Sequence, residues 1–363
     1  MEVRAGFPLE ELQVEILPVC YPLKEKPFVC KDEELTPVYQ VCVDTLKLCM
    51  HDHYEDCPWR EQALYVMDSR NQMLCGYYAF EEYAFARANL KLISQDNRKD
   101  GMLSICYPAG TDLTIPSFGL HFFTQVKEYG EHSGDWAFVE EIFPKLESVL
   151  QVYLEKCEKD GGLLLTFEGE RYWNFYEWAD GLVNPPGAPV EKDLILNCLF
   201  SLALQNMAYI CEKLEKEQSF FKLAESLNER IREVFFVQES GFFTTKTEMV
   251  SYSELGNALA VLCGVATQAQ AQNICEKLTA DSGWSKITLS MKCFKYDALL
   301  KVDEQKYRSY ILEDIKSVYQ KMLKKGATSV WETEEGERDF DGAGSLCHGW
   351  SAMPVYYLHI LQG

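Results

Sequence analysis

Apolar residues recur at spacings of three and four along nearly the whole chain, in nine runs: 34–50, 70–93, 118–132, 137–157, 190–214, 218–236, 253–266, 269–278 and 309–323. Such spacing gathers them on one face of a helix, and that face has to be buried against another element. The breaks between runs, such as 96–101, 107–117, 183–189 and 278–284, are rich in the Gly, Pro, Asp and Asn that end helices and turn the chain. No short sequence repeat is present, yet helix, loop, helix recurs regularly enough to predict stacked hairpins. Two all-α architectures fit that rhythm: an open solenoid, or a closed barrel of six hairpins, the (α/α)6 toroid. Loops 101–117, 162–189 and 326–345 are long and aromatic-rich, whereas solenoid linkers are terse, so the toroid is expected. In a barrel the loops of one end line a single cleft, where residues from both ends of the chain can meet.

Residues 1–30 break the pattern, with several prolines and β-prone pieces such as 12–17. They are expected to form an irregular or β-like N-terminal lead-in, and residues 31–363 the helical domain. A chain of 363 residues, 47% hydrophobic and 13% aromatic, has ample material for such a core. Its 35 Lys plus Arg against 56 Asp plus Glu leave a net charge of -21. That balance opposes nucleic acid and anionic membrane as partners and is compatible with a neutral sugar. Residues 1–10 lack the basic start and apolar centre of a secretory signal. Fourteen cysteines are scattered singly without a Cys-x-x-Cys pair, as buried thiols in a reducing compartment would be. The expectation is a soluble, cytoplasmic chain.

Chemistry concentrates in His51 to Gln72, where Asp56, Arg60, Glu61, Asp68 and Arg70 lie between two apolar helical runs, so a charged loop is expected there. Loops held by buried helices are where catalytic groups tend to sit. Glycoside hydrolysis needs one carboxylic acid to protonate the leaving oxygen and a second carboxylate to attack or to activate water. Glu61, with Asp56 and Asp68 nearby, offers such an acid and acceptors for sugar hydroxyls. The plainer reading is a solvated face, with an Arg60 or Arg70 ion pair joining two hairpins.

The run Asp56-Cys57-Pro58-Trp59-Arg60-Glu61, followed seven residues later by Asp68, resembles the signature of the α-L-rhamnosidase family of inverting glycoside hydrolases. A second block, Trp331-Glu332 and then 343–358, resembles that family's C-terminal catalytic region. Together the resemblance covers about 30–361 and independently implies the six-hairpin fold. It implies Glu61 as general acid, its carboxyl raised toward neutrality by burial, and Glu332 as general base, with Glu334, Asp339 and Asp341 as fallbacks. Asp56, Arg60, Asp68, Trp178, His348, Phe118 and Trp331 are then the residues expected on the sugar, Trp178 against the face that carries the C6 methyl. Inversion calls for carboxyls roughly 6.5 to 9.5 Å apart. Upstream β-sandwich domains or a homo-oligomer are the partners the resemblance suggests. Tyr65, Val66 and Met67 stand where many members carry a Trp and a Gly, and Gln62 where others carry a charged residue, so sugar preference is open.

Neither a phosphate-binding Gly loop nor a Gly-x-Ser-x-Gly elbow is present. His51-Asp52-His53 with Glu55 and Asp56 match no standard metal spacing, and no cofactor is expected. Two rivals remain: another inverting six-hairpin glycosidase with a different sugar, and a non-catalytic helical scaffold binding a sugar or protein.

Overall fold

The computed structural model describes residues 19–362 together with Gly6, Gln13, Glu15 and Leu17. Eleven helices follow in order: α1 (Thr36–Leu48), α2 (Val66–Ala79), α3 (Ala84–Ser94), α4 (Pro116–Ser133), α5 (Trp136–Lys159), α6 (Leu194–Lys213), α7 (Phe220–Phe235), α8 (Glu254–Leu262), α9 (Gln268–Leu278), α10 (Lys292–Lys324) and α11 (Pro354–Gln362). α10 is broken at Asp303, whose φ of -162° and ψ of 93° leave the helical region. Its carboxylate accepts from Lys306 N at 2.9 Å and so caps the second half. Twelve helical rods result, which pair as six hairpins.

α2, α4, α6, α8, the first half of α10 and α11 pack each on the next, and α11 closes back on α2. This is the inner ring of an (α/α)6 barrel, as the sequence predicts. Every residue of α2 except Tyr78 is buried, whereas α7, on the outside, buries only Ala224, Leu227, Ile231 and Phe235. A stripe at spacings of three and four is what an outer helix needs; an inner one is enclosed all round. By length and composition α6 could cross a membrane, but 78% of that stretch is buried inside the barrel. Two short antiparallel ribbons, Asn174–Phe175 with Val183–Asn184 and Phe236–Val237 with Phe242–Phe243, stiffen loops.

The two ends of the barrel differ. At one, the turns are short: 80–83, 134–135, 214–219, 263–267 and Asp303. At the other, long connections enter the inner helices: 49–65, 95–115, 160–193, 236–253, 279–291 and 325–353. Functional side chains therefore have one face on which to gather.

Three sequence expectations need correction. Run 70–93 is two helices, parted at 80–83 where Glu81 takes a positive φ of 55°. The charged loop ends at Tyr65, so Asp68 and Arg70 are helical residues on the first turns of α2. The first half of α10 escaped the periodicity because polar groups interrupt its buried Cys293, Phe294, Tyr296, Ala298 and Leu299: Lys295 is buried against Glu254 at 3.3 Å, and Asp297 accepts from Tyr357. Residues 12–17 fall largely outside the described residues. From 19 to 30 the chain is irregular and lies on the barrel, with Phe28 against the rings of both Tyr39 and His359.

Candidate active site

The connection 49–65 supplies the first group of site residues, and its shape follows from a few bonds. Asp56 and Ala63 close a turn on themselves: Asp56 N donates to Ala63 O at 3.1 Å and Ala63 N to Asp56 Oδ1 at 2.8 Å. Between them Pro58 to Glu61 form a tight turn. Asp68 and Arg70 then leave in different directions from α2. Arg70 turns into the barrel wall, where it forms a buried pair with Glu128 of α4, the structural role weighed for it from sequence.

The connection 325–353 supplies the second group. Thr45 of α1 reaches it with a hydroxyl that accepts from Val330 N at 2.9 Å. Glu332 N donates to Ser345 O at 2.9 Å, Ser345 N returns to Glu332 Oε2 at 3.0 Å, and His348 N donates to Val330 O at 2.9 Å. Gly344 packs so closely that a Cβ would lie 2.0 Å from Gly336 O, and at Gly349 one would lie 1.6 Å from the Gln72 side chain. Gly349 N donates to Asp56 O at 2.8 Å, which joins the two groups.

Arg60 completes the junction. Its Nε donates to Glu61 Oε1 at 2.7 Å and Oε2 at 2.8 Å, its Nη2 to Glu332 Oε2 at 3.0 Å, and its Nη1 to Ala343 O. One guanidinium thus spans the two carboxylates that sequence singled out, from opposite ends of the chain. His348 Nε2 lies 3.1 Å from Asp68 Oδ1, and its Nδ1 lies 4.0 Å from Glu332 Oε2 with no hydrogen-bond partner. Trp350 packs on His348 with ring centroids 4.1 Å apart and tilted by 38°, and donates its indole N–H to Glu332 O.

These groups line a cleft of about 300 Å³. Asp56, Arg60, Glu61, Asp68, Phe118, Trp178, Glu332 and His348 all border it. Trp331 does not: its ring lies under Lys325 Nζ, 5.4 Å away, and faces another depression. Successive residues of an extended piece point to opposite sides, so delivering Glu332 inward sends Trp331 outward. Trp350 is the indole beside Glu332 instead. Tyr65, Trp173, Phe175 and Phe340 also line the cleft. The aromatic run at 172–178 signalled two of them; Phe340 was hidden in an acidic stretch, and Tyr65 counted only as a departure from a pattern.

Burial sets the charges. It lifts Asp68 to about 7, and it lifts Asp56 to about 7 with help from the Asp68 charge and against the pull of His348. Burial also lowers His348 below its ordinary value, outweighing Glu332, Asp56 and Glu61. Both shifts disfavour the charged forms, so Asp68 and His348 meet as hydrogen-bonded partners rather than as a full ion pair. Glu61 goes the other way from the expectation. Burial would raise it, but hydrogen bonds from Arg60, Asp56 and Cys57 outweigh burial and hold it below the ordinary carboxylate range. With Arg60 in this position Glu61 is an anion, and an acid role requires the guanidinium to let go.

Asp56, Cys57 and Glu61 are close enough to hold a metal. Burial first, and then the Asp56 charge, keep the Cys57 thiol protonated, up to about 12, and Arg60 already occupies Glu61, so these residues do not fit one.

The profile of the bacterial alpha-L-rhamnosidase 6 hairpin glycosidase domain matches residues 24–360. The solved rhamnosidase of Bacillus sp. GL1 superposes with a TM-score of 0.83 at 29% identity, over 94% of this chain and 36% of that one. A rhamnosidase from Klebsiella oxytoca with rhamnose bound gives 0.80 at 22%, over 94% and 65%. A mannosylglycerate hydrolase from Thermus thermophilus shares the fold at 0.64 and 12%, over 89% and 100%. This chain thus spans about a third of the Bacillus enzyme and two thirds of the Klebsiella one. No curated protein sequence matches it.

Proposed function

This chain belongs to the bacterial α-L-rhamnosidase six-hairpin glycosidase family, and on that premise we propose that it hydrolyses terminal α-L-rhamnosyl linkages with inversion. The observation that carries the reading is the shared guanidinium, which brings Glu61 and Glu332 to one small cleft floored by aromatic rings. A scaffold that only binds has no use for such a pair.

In this mechanism the sugar ring enters between Trp178 and the His348–Trp350 pair, with its methyl-bearing face on the aromatic side. Its hydroxyls take Arg60 away from Glu61. Freed of that bond, and still half-buried, Glu61 rises toward neutrality and picks up the proton it then gives to the leaving oxygen. Asp56, whose carboxyl burial lifts to about 7 and which hydrogen-bonds to Glu61, supplies that proton. Glu332 takes a proton from the water that attacks the anomeric carbon from the opposite face. Asp68 and the unpartnered His348 Nδ1 hold hydroxyls as positive charge develops on the ring. Removing Arg60 from between the carboxylates also clears the space that the sugar and water must fill.

Hydrolysis of p-nitrophenyl α-L-rhamnoside by the purified chain tests this, beside aryl glycosides of other sugars and the variants Glu61→Gln and Glu332→Gln. Turnover of the rhamnoside that is lost in both variants, with proton NMR showing the β-anomer first, supports the reading. Turnover confined to another glycoside, or first appearance of the α-anomer, overturns it.

A further inference from the structure

Of the fourteen cysteines, all but Cys20, Cys157 and Cys347 are buried. Among these three, Cys347 alone has a second thiol against it. Its neighbour is Cys49, the residue that ends α1, and the two thiols are in hydrogen-bonding contact from opposite ends of the chain. Neither residue borders the cleft, so the sugar chemistry makes no use of them.

Backbone bonds hold the pair in place. Cys49 N donates to Thr45 O at 3.1 Å, and the Thr45 hydroxyl accepts from Val330 N at 2.9 Å. Val330 O in turn accepts from His348 N at 2.9 Å, which fixes the residue after Cys347 beside the end of α1. From the other side, Asp56 O accepts both Gly349 N at 2.8 Å and Cys49 Sγ at 3.8 Å. The Cys49 sulfur therefore shares one carbonyl with a backbone N–H only two residues past Cys347. Ser345 Oγ donates to Cys347 O at 2.8 Å and accepts from Cys347 N at 3.3 Å, so the Cys347 peptide is pinned as well. The surroundings give the two thiols different characters. The contact with Cys49 first, and then that with Ser329, hold Cys347 below the ordinary thiol value against burial, whereas the same contact and burial push Cys49 well above it. A sulfur that leans toward thiolate and reaches the surface is the one an oxidant attacks, and a protonated thiol beside it resolves the product.

We propose that Cys49 and Cys347 form a reversible disulfide clasp, closed by a peroxide, that ties the connection carrying Glu61 to the connection carrying Glu332. The Cys347 thiolate attacks one peroxide oxygen, the O–O bond breaks, and the departing hydroxide takes up a proton to become water, which leaves Cys347 as a sulfenic acid. The Cys49 sulfur then attacks the Cys347 sulfur, the S–O bond breaks, and the hydroxyl leaves with the Cys49 proton as a second water. Two thiols give up two electrons and one peroxide is reduced to two waters; a thiol reductant opens the clasp again by exchange. Closing it cross-links nearly the whole chain into one loop, which restricts the unfolded chain and favours the folded one. A second pair supplies an internal contrast. Cys198 and Cys263 are in the same kind of contact, but both are buried, so an oxidant in solution does not reach them.

Peptide mapping without reductant tests the clasp, and its outcome does not depend on which sugar the cleft takes. The purified chain is treated with dilute hydrogen peroxide at neutral pH, sampled over time, alkylated after unfolding and digested. A Cys49–Cys347 cross-link, lighter than the two thiol peptides by two hydrogens and undone by dithiothreitol, is expected to form about tenfold or more faster than any Cys198–Cys263 link. In differential scanning calorimetry the cross-linked chain is expected to melt a few degrees above the reduced one. Cys49→Ala removes the resolving thiol and is expected to leave a Cys347 sulfenic acid that dimedone traps. The map of the unsubstituted chain decides the matter even where that variant folds poorly. Oxidation of Cys347 to the sulfinic acid without a cross-link overturns the inference. So does a Cys198–Cys263 link that forms as fast, or a cross-linked chain that melts below the reduced one.

Discussion

Glu177 and Glu332 are both buried carboxylates on long connections at the same end of the barrel, and they are treated in opposite ways. Glu177 accepts four hydrogen bonds, spread over both oxygens. Glu332 accepts from Arg60 and Ser345, both on Oε2, and shares its surroundings with a histidine nitrogen that has no partner. A saturated buried group fixes structure. One with capacity left over is prepared for something that arrives.

The sharpest way to break this contrast is to remove each group's charge in turn. Glu332→Gln is expected to lower kcat on the rhamnoside about 10²–10⁴-fold, with little change in melting temperature. A large loss of stability instead would place Glu332 with the structural groups. Arg70→Met, which strands Glu128 in the barrel wall, is expected to cost about 3–5 kcal/mol in urea denaturation, whereas Arg60→Met leaves stability nearly unchanged and impairs turnover. Glu177→Ala leaves buried donors without acceptors and is expected to cost about 3 kcal/mol. If its stability matched wild type, saturation would not mean structure.

The smallest expected effect is in pH. Asp68 moves from an ordinary value of 3.8 to about 7 on folding, so between those values the folded chain holds a proton that the unfolded chain has lost. Stability from this group is full below pH ~4, falls as pH rises, and is gone above ~7. Asp68→Asn keeps a neutral side chain throughout. Its melting temperature relative to wild type should therefore rise by about 3–4 °C between pH 5 and 8 in differential scanning calorimetry. A difference that shrinks over that range would mean Asp68 is ionised in the fold.

The barrel was legible in the sequence because outer helices such as α7 must show a clean apolar stripe. The inner helices α4, α6 and α8 showed as apolar runs too, but α2 was found only in part and merged with α3, and the first half of α10 was not seen, since enclosure on all sides lets buried polar residues interrupt the periodicity. The two carboxylates and their neighbours Asp56, Asp68 and His348 were found through the resemblance of two short blocks. What sequence could not show was direction. Trp331 and Glu332 are adjacent and face opposite sides, so one was misplaced by being next to the other. Nor could it show that Arg60, beside Glu61 in the chain, is also its closest partner in space and reverses the shift expected of it.

The Arg60 guanidinium that joins Glu61 to Glu332 also joins residues 272 positions apart. On a ribosome adding about 5–20 residues per second, the loop carrying Glu61 emerges roughly 14 to 54 seconds before the segment carrying Glu332. Throughout that interval α2 presents to water a surface that residues 349–352 and α11 will cover. Partial chains have an unclosed ring and keep Glu61 and Glu332 apart, so the proposed pair is assembled in one step with the last hairpin, and until then the half-built interior stays open to others of its kind.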